Sequence, residues 1–150
     1  MQTNGIARVF PGWGDAVRFT PDGKLLLTVS ILHNAGTLRF WRVSDGTLLA
    51  SYEGLTGARC LDISPDGKLF AYGGAALVLA RMPLFFTELS LAGNQLTLSW
   101  SGGTGLYQLQ STTNVVSGPW QNVGAPTAAT AATNTVTGTL FYRVQSLPNP

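Results

Sequence analysis

The stretches TPDGK (Thr20–Lys24) and SPDGK (Ser64–Lys68) are near copies set 44 residues apart, and the unit they repeat decides the fold. Apolar runs flank both. Ala16-Val17-Arg18-Phe19 precedes the first and Leu25-Leu26-Leu27-Thr28-Val29 follows it; Cys60-Leu61-Asp62-Ile63 and Leu69-Phe70-Ala71-Tyr72 flank the second. Pro has no N–H for a ladder and suits a strand end, while Asp-Gly supplies the positive φ of a tight turn, so each copy reads as a β-hairpin. A further Asp-Gly, Asp45-Gly46, separates GTLRFWRV (36–43) from TLLASY (47–52) and predicts another hairpin. One period therefore holds about four strands.

Four short strands in about 40–45 residues is the pattern of a propeller blade. On SPDGK, GTLRFWRV and SDGTLLASYEG (44–54) the chain resembles the WD40-repeat propellers. The resemblance implies that Trp41 packs inside its blade and that Thr28 hydrogen-bonds to it. Departures from the family pattern are Arg42 in place of the Asp after the Trp, Gly54-Leu55 and Gly12-Trp13 in place of Gly-His, and Ala35 in place of the Asp before the third strand. They imply a degenerate or terminal blade. In the second copy the third strand, AALVLARMP (75–83), has no Trp, and Pro83 closes the pattern. Ile6–Phe10 reads as the outer strand of a preceding blade. Residues 1–83 are thus expected to form an incomplete β-propeller of about two four-stranded blades, like the last blades of a longer one.

After Pro83 the composition changes. Residues 84–150 contain two charged side chains, Glu88 and Arg143, against 27 Ser, Thr, Asn or Gln, which marks a second domain there. Strand-like runs recur at FFTELSL, QLTLSWS, LYQLQS, WQNVG and TLFYRVQS, with alternation in Leu96, Leu98, Trp100, then Tyr107, Leu109, then Phe141 or Tyr142 with Val144. The stretch 127–139 is expected as a polar edge strand or loop. This is the pattern of a small β-sandwich. The order LTLSW, YQLQSTTN, PWQNVG, FYRVQS resembles the fibronectin type III-like modules that end many secreted bacterial multidomain proteins. The whole chain reads as all-β.

Charge and composition exclude several functions. The net charge of +2 is dispersed, with no basic stripe for a phosphate backbone, so no nucleic-acid partner is expected. No apolar run approaches the roughly 20 residues of a membrane-spanning helix. Cys60 is alone and His33 is alone, too few ligands for a structural zinc, and no cofactor is expected. The N-terminus lacks the layout of a signal peptide. Read from Met1 as the start, the chain is expected in the cytoplasm; as the end of a longer secreted protein it would be extracellular.

No catalytic constellation emerges. His33 is expected in a loop without a nucleophile or orienting carboxylate beside it. Cys60, between strand residues, is expected in the core. Asp22, Asp45 and Asp66 are turn residues, Asp62 is expected to face solvent, and Glu53 to end a strand. GGTG (102–105) lacks the Lys of a phosphate loop and reads as a turn. Trp41 and Trp100 are expected in cores, whereas Trp13 and Trp120, flanked by Gly or Pro, are candidates for exposed aromatic contacts. The expected function is a noncatalytic module binding a protein or a glycan, with a remnant of a propeller enzyme or a gene fragment as alternatives. Fewer than three blades leave a blade face uncovered, so self-association through residues 1–83 is also expected.

Overall fold

A computed structural model describes residues 8–12, 14–32 and 35–148. Among them there is no helix, and the strands form four sheets, none of them closed. The chain divides into two compact units, Met1–Ala80 and Arg81–Pro150, close to the composition break at Pro83.

In the first unit, β1 (Ala16–Phe19), β2 (Leu25–Leu32), β3 (Ala35–Arg42) and β4 (Leu48–Thr56) make one sheet in sequence order. β5 (Cys60–Ile63), β6 (Leu69–Gly73) and β7 (Leu77–Arg81) make a second. The two repeated turns are locked by the same bonds. Thr20 Oγ1 donates to Asp22 Oδ1 at 2.6 Å and accepts the Leu25 amide at 3.0 Å, and Asp22 Oδ1 accepts the Lys24 amide at 3.1 Å. In the second copy, Ser64 Oγ reaches Asp66 at 2.6 Å and accepts the Leu69 amide at 2.9 Å, with the Lys68 amide on Asp66 at 3.1 Å. Gly23 and Gly67 sit at φ of 69° and 70°, a region costly for any side chain, which is why both copies keep Gly there.

These turns pin the register at Phe19↔Leu26 and Ile63↔Phe70, and register decides which face each side chain takes. Leu25, Leu27, Val29, Leu38 and Phe40 share one face of the first sheet and are almost wholly buried. There Phe40 meets Phe70 of the second sheet edge-on, ring centroids 5.5 Å apart. On the rim of this contact Arg18 bonds Asp62 at 3.3 Å; both are well exposed, so the pair adds little stability.

The opposite face of the first sheet holds Leu26, Thr28 and Trp41. Trp41 is 4% exposed, and its Nε1 donates to Thr28 Oγ1 at 3.1 Å. Phe10 lies edge-on to the indole at 5.8 Å, while the Arg8 guanidinium donates to the carbonyls of Ser44 and Asp45. Of the strand expected at 6–10, residues 8–10 belong to no strand: they are tied to the sheet by side chains rather than by a ladder, and Ile6 and Ala7 lie outside the described residues.

Two further expectations are corrected. Cys60 is exposed, not in the core. Strand parity explains it, because Leu61 takes the buried side and Cys60 points out with Asp62, donating its thiol to the Gly73 carbonyl at 3.2 Å. Glu53 lies inside β4, paired with Thr37, rather than at a strand end.

The second unit has two three-stranded sheets. β8 (Phe85–Ala92), β9 (Gln95–Ser101) and β12 (Ala131–Thr135) form one, in the order β12-β9-β8; β10 (Tyr107–Thr112), β11 (Gln121–Thr127) and β13 (Phe141–Ser146) form the other, in the order β11-β10-β13. The segment 127–139 therefore supplies an edge strand. Its threonines bond outward across the pair, Thr133 to Thr97 and Thr135 to Gln95, while Ala132 turns to the core. Leu96, Leu98 and Trp100 from one sheet pack with Tyr107 and Leu109 from the other, joined by Tyr142 and Val144 rather than Phe141. The GGTG stretch is a close chain crossing: Gly102, at φ 85°, lies where a Cβ would be 1.8 Å from the Pro83 carbonyl oxygen, and the Gly103 amide donates to Met82.

Thr28→Val keeps the shape of the side chain but leaves the buried Trp41 N–H without its acceptor. The urea midpoint should fall by the equivalent of about 1–3 kcal/mol, and much less in a Trp41→Phe background, as a double-mutant cycle would measure.

Acid should also loosen the first unit. The Thr47 amide, assisted by Arg42 at 2.8 Å, holds the Asp45 carboxyl down at about 2, and the Ser64 hydroxyl holds Asp66 below its usual range. Both are depressed on folding, so their contribution is complete above the ordinary carboxylate pKa and disappears as pH falls through the folded value. Between about pH 4 and 2 the unfolding midpoint should drop, and Asp45→Asn with Asp66→Asn should flatten that dependence.

Candidate functional site

The loop between β10 and β11 is shaped by its own polar side chains. Asn114 Oδ1 accepts the amides of Val116 and Ser117 at 2.9 and 3.1 Å, and the Gly118 amide returns to the Asn114 carbonyl at 2.9 Å. Pro119 then ends the loop and delivers Trp120 to the start of β11, at the sheet β11-β10-β13.

Register builds the rest. Gln110 on the central strand lies opposite Asn122 on one side and Arg143 on the other, so three polar side chains share one row and one face. That face is opposite the core, which takes Leu109, Val123, Tyr142 and Val144. Arg143 Nε donates to Gln110 Oε1 at 2.8 Å, and Gln110 Nε2 donates to Asn122 Oδ1 at 2.8 Å. The Arg143 guanidinium carbon stands 4.4 Å from the centre of the Trp120 ring, a cation–π contact. Trp120 is half-buried rather than freely exposed, because the guanidinium covers it.

This row has a direction. A guanidinium only donates, so it fixes Gln110 with its carbonyl toward Arg143; the Gln110 amide nitrogen must then face Asn122, which turns its own carbonyl inward. The Arg143 Nη groups and the Asn122 Nδ2 have no hydrogen-bond partner among the described residues. Both ends of the row are donors. Arg143 also has no carboxylate partner there, and it is the only formal charge on its sheet, since Glu88 lies on β8.

A second concavity lies in the first unit. It is a groove of about 340 Å³ lined by Arg8, Phe10, Val17, Leu26, Thr28 and Trp41 among others. Its polar side chains are already engaged, Thr28 with Trp41 and Arg8 with two carbonyls, which leaves a mostly apolar trough. Trp13 and His33 lie outside the described residues. Trp100 is wholly buried in the second core, where its N–H has no hydrogen-bond partner among the described residues. Among the described residues no group of three or more His, Cys, Asp or Glu could hold a metal ion, and no helix is long and apolar enough to cross a membrane.

Sequence reading singled out Trp120 but missed Arg143, Gln110 and Asn122. The available signal was a lone Arg in a nearly uncharged domain, on a strand alternating with core residues. Gln110→Leu should break the row at its centre: the Arg143 side chain loses its anchor, so its Nε resonance should move and sharpen in an NMR spectrum while the core methyl signals stay in place.

No protein-family model matches this chain, and no curated protein matches it either.

Proposed function

We propose that the chain is a noncatalytic binding or scaffold module, built as the end of a degenerate WD40-like propeller followed by a fibronectin type III-like sandwich. The propeller reading is supported by the repeated turn, the four-stranded first sheet, and the Trp41–Thr28 bond. Two three-stranded sheets around one core support the sandwich reading. The single observation that carries the function is the ordered row Trp120–Arg143–Gln110–Asn122, which holds donors in place on an otherwise neutral face. Fixing side chains in advance lowers the entropy cost of binding. The test is an array of glycans and peptides probed with the full chain. Saturable binding that Gln110→Leu abolishes is the expected result, and an array with no retained ligand removes the reading.

A second reading makes the first unit part of a larger propeller assembly, whether with more blades of a longer protein, such as an enzyme with its active site there, or with further copies. It is favoured by the outer side of the second sheet, where Leu77 and Leu79 are 78% and 68% exposed. A neighbouring blade would cover them. Light scattering after size exclusion should then show the full chain as oligomers, reduced toward monomer by Leu79→Lys. A monodisperse monomer of the unaltered chain sinks the self-association reading.

A further inference from the structure

The direction of the hydrogen-bonded row decides what it can hold. We propose that Arg143, Asn122 and Trp120 form a subsite for a uronic acid residue, the carboxylate-bearing sugar of an acidic polysaccharide; this rests on the binding-module reading and names its ligand class.

Three observations converge. First, the Arg143 Nε is spent on Gln110, so the Nη1–Nη2 edge is the remaining fork, and a planar fork of two parallel N–H groups matches a carboxylate. Cation–π contact with Trp120 on one side and the Gln110 bond on another restrain the guanidinium before any ligand arrives. Second, the row ends in a donor on both sides, so the complementary ligand is rich in acceptors along its length. Three neighbouring strands place Arg143 and Asn122 about 10 Å apart across the sheet, a span that brings a charged group and a sugar hydroxyl under the two ends together. Third, Arg143 is an uncompensated positive charge on a sheet with no acid, so an anion gains from it without displacing an internal partner. The part of the half-buried indole that the guanidinium does not cover supplies apolar surface for the C–H face of a pyranose, and the amides supply donors for its hydroxyls. An extended acidic peptide would offer carboxylates without that C–H face, which is why the sugar is favoured.

Amide NMR spectra of the full chain, titrated with oligogalacturonate and with its fully methyl-esterified form, test this without any mutation. The two ligands share ring and hydroxyls and differ in charge. Oligogalacturonate should shift the signals of residues 110, 120, 122 and 143, and the ester should bind about tenfold more weakly or worse. Arg143→Gln should lose the preference for the acid, and Arg143→Lys should keep only part of it, because a point charge lacks the fork. Equal binding of acid and ester overturns the uronate assignment and leaves the binding-module reading standing. No shift with oligogalacturonate overturns it too, and a neutral oligosaccharide binding at the same residues in that case keeps the broader reading. If polyglutamate shifts the same residues with equal affinity, the sugar assignment fails in favour of a peptide.

Discussion

The bond from a Thr or Ser hydroxyl to the Asp two residues on governs the first unit. It closes the turn within five residues, fixes Gly at positive φ, and so sets the pairing of the strands on either side. Because side chains alternate along a strand, one residue of slippage would turn Leu25, Leu27 and Val29 from the buried contact to the other face. The packing of Phe40 on Phe70 is therefore a consequence of two short polar clasps far smaller than itself.

The two tryptophan cores show how differently one residue type is accommodated. Trp41 has an acceptor on the adjacent strand, and its burial leaves no donor stranded. Trp100 is packed between Phe86 and Tyr107, edge-on to each, with its N–H unmatched among the described residues. A buried donor without a partner costs about 1–3 kcal/mol, which the contacts of a large ring against its neighbours can offset. One core is specified by a polar bond and the other by shape.

What could be read in the sequence was what is local. The hairpins at 20–24, 45–46 and 64–68 were legible because their turn chemistry lies within a few residues. Edge placement of 127–139 followed from its polar composition. Cys60 was misplaced because its neighbours Leu61 and Ile63 suggested a core strand, while parity put it with Asp62. The row at Gln110 was not legible, since it joins residues separated by 12 and 33 positions and depends on which strands become neighbours. Trp120 looked exposed for a related reason: the guanidinium that covers it arrives from β13.

The turn clasp also bears on how such a chain can change over time. Everything that clasp needs travels in one pentapeptide, so a hairpin carrying it can be duplicated or can drift elsewhere and still close. The second copy illustrates this, keeping Ser64, Asp66 and Gly67 while its third strand has no Trp corresponding to Trp41. A feature assembled from three strands has no such portability, because a change in any one strand's register dissolves it. Inheritance of the fold is thereby stored in short, transferable words, whereas the row on the second unit exists only as a whole sentence.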